Sequence, residues 1–123
     1  MSYALLLCAS LTAVDGDTLR CNGERMRDIG DGKPFVVGFD APELSKPKCQ
    51  AELNLARAAK ARYAELLATP GVTIHDSGRR DGTRTHRRLV VARLPDGRAL
   101  GTILIQEGLA REWRPGRRIN WCG

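Results

Sequence analysis

The sequence lacks a long apolar segment and contains few aromatic side chains. No apolar run approaches the roughly 20 residues that a membrane-spanning helix needs, which excludes such a helix within it. Phe, Trp and Tyr occur only twice each, yet 42% of the 123 residues are hydrophobic. This fraction supports one modest core and excludes a wholly disordered chain. The length predicts a single domain over residues 1–123.

The first 13 residues, MSYALLLCASLTA, contain a short apolar stretch with no basic residue before it. A secretory signal peptide normally begins with a positively charged region, and cleavage after Ala13 would leave VDGDT at the new terminus. We therefore expect residues 3–14 to form the first strand.

Positive charge is concentrated in the second part of the sequence. Residues 1–78 carry nine basic and ten acidic side chains, whereas residues 79–123 carry eleven Arg and four acids, a net charge of +7. Arg binds phosphate through two parallel hydrogen bonds, where Lys offers only a point charge. This pattern favours a polyanionic partner such as nucleic acid. The alternative is a solvated basic surface that aids solubility.

The cysteine count is even, with Cys8, Cys21, Cys49 and Cys122. Four cysteines allow two disulfides in three connectivities, and paired cysteines would imply an oxidising compartment. Four buried or free thiols in a cytosolic protein are the alternative. The first two cysteines lie on the arms that flank the turn at Asp15-Gly16, so a bond between them is geometrically reasonable.

Local patterns predict several short strands and two helices. Turn signals at Asp15-Gly16 and Asn22-Gly23 separate strand-like segments. The predicted elements are strands at 3–14, 18–21, 24–29 and 35–39 with a loop at 30–34, a helix at 49–68, strands at 72–76 and 88–94 around a polar loop at 77–87, a helix at 100–108 and an irregular basic tail. This order fits an α+β, mainly β fold on a Greek-key oligonucleotide-binding barrel. Periodicity alone does not select this barrel over another small α+β fold.

Three acidic residues lie at positions where chemistry is plausible. Asp17 follows a tight turn, Asp40 ends a strand, and Glu43 comes three residues later. Two carboxylates and a backbone carbonyl are oxygen ligands that suit a hard cation such as Ca²⁺, and a third carboxylate could deprotonate a water beside it. Asp15 is the better candidate for the turn residue. The alternative interpretation is that all of these acids only shape turns and loops.

Several motifs together resemble the thermonuclease (staphylococcal nuclease-like) family. They are VDGDTLRC, GFDAPELSKPKC, RLVVARLPDGRALG, IQEGLAREW and a terminal WC, and they extend from about residue 8 to residue 122. The resemblance implies a five-stranded oligonucleotide-binding (OB) barrel with two or three helices. It also implies a hydrolase that cleaves phosphodiester bonds of DNA and RNA with one Ca²⁺ ion.

The resemblance assigns a role to five residues. Asp17 and Asp40 would coordinate calcium through their carboxylates, and Ala41 would do so through its backbone carbonyl. Glu43 would act on the attacking water, directly or through the metal shell. Arg87 would contact the phosphate and the leaving oxygen, so that the cation and the guanidinium neutralise charge in the transition state.

The sequence departs from the family at a second arginine. Phe35 stands where active members carry an Arg that binds phosphate. If residues 30–37 are instead an inserted loop, Arg27 takes that role, and both alignments remain open. In the segment DGTRTHRRL, which contains Arg87, Thr83 and Thr85 stand where the family usually has other residues, including a Tyr that helps seat the nucleotide.

Two functions therefore remain open for a nucleic-acid partner. The first is a calcium-dependent nuclease of low sequence specificity, and the second is a degenerate domain that only binds nucleic acid. A protein-interaction module is a third and weaker alternative. Relatives with PKC and a terminal WC suggest a Cys49–Cys122 disulfide, and we expect a monomer that is secreted or periplasmic, with a cytoplasmic location left open.

Overall fold

The computed structural model describes residues 3–123 and has an α+β, mainly β architecture. Its elements are β1 (Ala4–Leu6), β2 (Leu11–Ala13), β3 (Thr18–Cys21), β4 (Glu24–Asp28), β5 (Gly38–Asp40), α1 (Gln50–Leu67), β6 (Thr73–Arg80), β7 (Arg88–Arg93), α2 (Leu100–Gln106) and β8 (Arg111–Trp113). The expected α+β class and two helices are confirmed. Among residues 3–123, neither helix combines the length and apolar character needed to cross a membrane.

Six strands form one sheet in the order β1-β6-β7-β4-β3-β2. The β4–β7 pair is parallel and the other pairs are antiparallel. The two edge strands, β1 and β2, are consecutive in the chain and only residues 7–10 separate them. Because so short a segment joins both edges, the sheet curls into a half-barrel. The main sheet thus has six strands where the resemblance implies five, and β5 and β8 form a further two-stranded sheet.

The single strand expected at 3–14 is also wrong, because the chain leaves the sheet between β1 and β2. Asn22, in the β3–β4 turn, donates from Nδ2 to the carbonyl of Leu7 and accepts at Oδ1 from the N–H of Ser10. Residues 7–10 therefore bond to this turn rather than to a neighbouring strand. Asn22 and Gly23 both have positive φ, at 53° and 87°, as the predicted tight hairpin turn requires.

The core lies between the curled sheet and α1. Ala56, Ala59 and Tyr63 of the helix are fully buried, and they lie at the spacing of one helix face. Gly16, in the β2–β3 turn, packs so closely on α1 that a Cβ there would be 3.0 Å from the Cβ of Ala59. The absence of a side chain at Gly16 therefore lets the turn lie directly against the helix.

Three further predicted assignments are wrong. β6 continues to Arg80 through an irregularity at Gly78, whose φ is +82°, so the loop expected at 77–87 covers only 81–87. Phe35 and Val36 lie in a turn between Lys33 and Val37, not in a strand. The tail is not wholly irregular, because its first three residues form β8 and pair with β5.

Both expected disulfides are present. Cys8–Cys21 joins the 7–10 segment to β3, and Cys49–Cys122 joins the start of α1 to the tail. Cys49 is also the N-cap of α1, because its sulfur accepts a hydrogen bond from the N–H of Glu52. The second disulfide therefore anchors the tail beside the segment between β5 and α1.

Candidate functional site

Asp17 lies at the centre of a polar cluster at the end of the β2–β3 turn. Asp15 shapes that turn, as expected, because its Oδ1 accepts the N–H of Asp17 at 3.0 Å. The Asp17 side chain points inward, and the residue is only 7% exposed. Its Oδ2 accepts from the N–H of Ala41 at 2.9 Å, and its Oδ1 accepts from the hydroxyl of Thr18 at 3.2 Å. The turn and the end of β5 are thereby joined through one carboxylate.

Arg27 on β4 carries the positive charge of the cluster. Its guanidinium forms an ion pair with Asp17, lies 3.7 Å from Asp40 and donates to the carbonyl of Phe39 at 2.6 Å. Phe35, the alternative occupant of this position, lies in the 30–37 loop and has a φ of +65°. The structure therefore brings Arg27, and not Phe35, into contact with the acids.

The cluster contains three acids and one arginine in mutual contact, and this imbalance shifts the pKa values of the acids. Burial would raise the pKa of Asp17, but the charge of Arg27 lowers it to about 2. Burial and then the charge of Asp17 raise the pKa of Asp40 to about 7. Burial and then Asp17 also raise the pKa of Asp15 to about 7. Arg27 therefore stabilises one carboxylate fully and leaves the other two short of positive charge.

Arg87 joins the cluster through a hydroxyl. Its Nη1 donates to Thr18 Oγ1 at 3.2 Å, and its Nε donates to Asp81 at 2.8 Å. Burial would raise the pKa of Asp81, but hydrogen bonds from Thr83 and Arg87 lower it. Arg87 is thus oriented from both sides, and Thr18 connects it to Asp17.

Two of these contacts were not predicted from the sequence. Thr18 is part of the VDGDTLRC motif, but no local pattern shows that its hydroxyl bridges Asp17 and Arg87. Asp81 is six residues from Arg87, and only the loop between β6 and β7 brings the two side chains together. Thr83, one of the departures from the family pattern, donates hydrogen bonds to Asp81 from both its N–H and its hydroxyl.

A cavity of about 250 Å³ lies between the two arginines. Its walls combine cationic and apolar side chains, among them Arg27, Lys33, Phe35, Phe39, Arg87 and Trp113. The positive groups suit an anion such as a phosphate, and the aromatic rings offer a flat apolar surface.

Glu43 lies outside the buried cluster and is exposed. Its backbone N–H donates to Glu52 at 3.0 Å, and the N–H of Lys48 donates to the same carboxylate at 2.8 Å. Glu52, which the sequence did not single out, therefore holds the segment before α1 in place. The Glu43 side chain borders a second cavity of about 340 Å³ together with Asp40 and Trp121. Its negative charge contributes to the raised pKa of Asp40.

The oxygen donors around Asp17 fit a hard cation in chemical type. Asp17 and Asp40 are two carboxylates that meet within the reach of one guanidinium, and the excess negative charge among the acids favours a further cation. Arg27 is the group that the two carboxylates share here. Within residues 3–123, no group of three or more His, Cys, Asp or Glu side chains has an arrangement that could hold a metal ion. Any ion bound here would therefore depend on two carboxylates and a backbone oxygen. The contact of Ala41 with Asp17 is through its N–H, and its carbonyl remains a predicted ligand.

Comparison with known proteins adds no assignment. A scan against protein-family models found no match to this chain, and a search of curated proteins found none either. The family resemblance therefore rests on the sequence motifs, and the function is inferred from these motifs and the geometry of the cluster.

Proposed function

We propose that this chain is a calcium-dependent nuclease of low sequence specificity in the staphylococcal nuclease-like family. One observation carries the proposal. Asp17, Asp40, Arg27 and Arg87 come from four separate segments, yet they meet in one connected polar cluster beside a cavity of about 250 Å³. Acids that bind a cation and arginines that bind a phosphate are the groups that phosphoryl transfer needs at one site.

The strand topology supports an OB barrel as the fold behind this site. β2, β3 and β4 form an antiparallel meander, and the chain returns to place β7 parallel to β4. β1 and β2 together act as one bent first strand that contributes to both edges of the curled sheet. On this proposal the six strands of the sheet correspond to the five strands of the barrel.

The chain's own residues divide the work of the proposed reaction. Arg27 and Arg87 bind the scissile phosphate from the two sides of the cavity and oppose the charge that develops on its oxygens. Glu43, which is exposed beside Asp40, takes a proton from the attacking water. Asp17 and Asp40, with the carbonyl of Ala41, would hold calcium, which would supply Lewis-acid polarisation of the phosphate and activation of the attacking water.

On this proposal, Arg27 has different partners in the free protein and in the complex with calcium and substrate. It pairs with Asp17 and lies near Asp40 in the structure, and it also lines the cavity of about 250 Å³. A substrate phosphate competes for its guanidinium, and a cation competes for the carboxylates. We therefore expect substrate and calcium to favour each other's binding.

A degenerate domain that only binds nucleic acid is the second candidate. The observation that favours it is the same ion pair, because Arg27 already neutralises Asp17 and no metal is needed to compensate its charge. In that case the arginine-rich surface would bind nucleic acid in a salt-dependent way, without cleavage.

The two disulfides bear on where the protein acts. Cys8–Cys21 and Cys49–Cys122 account for all four cysteines. Disulfides persist in oxidising compartments and are rare in the cytosol. We therefore propose that the protein is exported, which agrees with a nuclease that meets nucleic acid outside the cytoplasm.

A cleavage assay separates the two candidates. Single-stranded DNA should be degraded in the presence of calcium and should remain intact when a chelator removes it. Glu43→Gln should reduce turnover by about 10²- to 10⁴-fold, the usual contribution of a general base, while DNA binding persists. Glu65→Gln, at an exposed position of α1, is the matched control and should cleave normally.

Cleavage that continues in chelator would contradict the nuclease proposal, and so would normal turnover in Glu43→Gln. Binding without cleavage under any divalent ion would favour the degenerate domain.

A further inference from the structure

Phe35 has a backbone conformation that its side chain does not favour. Its φ is +65°, in the left-handed region that β-carbon-bearing residues avoid. Phe35 is nevertheless 45% exposed, so burial in the core does not offset this strain. Strained, exposed residues of this kind concentrate at ligand-binding sites.

The surrounding loop imposes that conformation. The N–H of Lys33 donates to the carbonyl of Val37 at 2.7 Å, and the N–H of Val36 donates back to the carbonyl of Lys33 at 3.0 Å. Gly32 closes the loop so tightly that a Cβ there would collide with the carbonyl oxygen of Val37. The backbone therefore positions the Phe35 ring before any ligand arrives.

The ring is placed where a ligand of mixed character could meet it. It lines the cavity of about 250 Å³ together with Trp113 and the phosphate-binding candidates Arg27 and Arg87. The guanidinium of Arg79 lies over the ring, 5.1 Å from its centroid. Aromatic rings and two arginines therefore line the same cavity, and a third arginine, Arg79, adjoins the Phe35 ring.

We propose that Phe35 is a nucleobase-stacking residue that selects unpaired bases of single-stranded nucleic acid. The proposal deepens the proposed function and rests on it for the identity of the ligand. A phosphate on Arg27 and Arg87 leaves the attached base to contact the aromatic wall, where Phe35 stacks on it and Arg79 adds positive charge. Stacking accepts every base, but in a duplex the bases are paired and stacked on one another. Phe35 therefore determines strand preference rather than sequence preference.

Binding of two small probes tests this without calcium or cleavage. Adenosine 5′-monophosphate and ribose 5-phosphate carry the same phosphate, but only the first has a base. In chelator, calorimetry should show that wild-type protein binds adenosine 5′-monophosphate about 5- to 150-fold more tightly, which is the range expected for one stacked base. Phe35→Gly should bring this ratio close to one while ribose 5-phosphate binds as before. Gly adopts a positive φ without strain, so this variant retains the loop.

Two further variants serve as controls. Phe35→Trp should keep the preference, because it supplies another aromatic face. Val36→Ala should also keep it, since Val36 is 49% exposed in the same turn but is not part of the cavity wall.

Three outcomes would overturn the stacking role. They are a wild-type ratio near one, an unchanged ratio in Phe35→Gly, and no binding of either probe at millimolar concentration. A protein that prefers the nucleotide but never cleaves DNA would overturn the nuclease proposal and leave the stacking role intact.

Discussion

Replacing Arg27 by Gln should destabilise the protein because it leaves a buried carboxylate without its counter-charge. Asp17 is 7% exposed and forms an ion pair with Arg27. Gln keeps much of the length of the side chain but cannot supply the positive charge. Breaking a buried ion pair by removal of one partner costs about 3–5 kcal/mol, and we expect a loss of this size in the free energy of unfolding at pH 7.

The pH dependence identifies the carboxylate as the cause. Burial opposes ionisation of Asp17, but Arg27 lowers its pKa from 3.8 to about 2. A carboxyl group with a lowered pKa stabilises the fold above pH 3.8, and this contribution disappears as the pH falls through 2. At about 1.4 kcal/mol per pKa unit it amounts to roughly 2.5 kcal/mol. Without the charge of Arg27, only hydrogen bonds such as that from the N–H of Ala41 oppose burial, which is the largest effect on this group, so the pKa of Asp17 should rise above 3.8.

The difference in stability between wild type and variant should therefore shrink on acidification. We expect about 3–5 kcal/mol at pH 7 and less than about 2 kcal/mol at pH 3, where the variant can protonate Asp17. Urea unfolding followed by tryptophan fluorescence measures both values. Arg25→Gln is the matched control, since Arg25 lies on the same strand but is exposed, and it should change stability by less than about 0.5 kcal/mol.

An equal loss at pH 7 and pH 3 would refute this reasoning, because it would show that Arg27 acts through packing and not through its charge. A loss in Arg25→Gln as large as that in Arg27→Gln would refute it as well.

Two other predictions concern the supports of the site. Replacing both Cys49 and Cys122 by Ser should lower the free energy of unfolding by about 4 kcal/mol, since the bond closes a sequence separation of 73 residues. Loss of the shorter disulfide, with a separation of 13, should cost about 3 kcal/mol, and calorimetric unfolding that gives the opposite order would contradict the estimate. Tyr63→Phe should cost about 1–3 kcal/mol, because Asp28 then loses the buried hydroxyl that donates to it at 2.7 Å. Burial already raises the pKa of Asp28 to about 6, and loss of this donor should raise it further. The stability difference between wild type and the Phe variant should therefore be smaller at pH 5, where Asp28 is protonated, than at pH 7. Urea unfolding at the two pH values measures this, and equal differences at both would contradict it.

Elements with local signals were predicted well from the sequence. α1 has apolar residues at helical spacing and a stop at Thr69-Pro70-Gly71, and it extends over Gln50–Leu67. The short second helix is ended by Gly108, which has a φ of +77°, and the turn at Asn22-Gly23 forms as expected. In each case the interactions that decide the structure lie within a few residues of one another.

Elements that depend on distant partners were predicted less well. Phe35 and Val36 belong to an apolar run that is typical of a strand, but hydrogen bonds between Lys33 and Val37 turn the chain there. β8 was not predicted because it forms only by pairing with β5, more than 70 residues earlier.

The sequence by itself determined Asp17, Asp40, Glu43 and Arg87 as candidate site residues, because its motifs show their types and their order along the chain. It also predicted the α+β class and, together with the family resemblance, the two cysteine pairs. Only the tertiary structure decided that Arg27, and not the residue at position 35, meets Asp17 and Asp40, and that Thr18 links Asp17 to Arg87. The physical reason is that these contacts join strands and loops far apart in sequence, and their geometry is set by how the sheet curls and where the 30–37 loop leaves it.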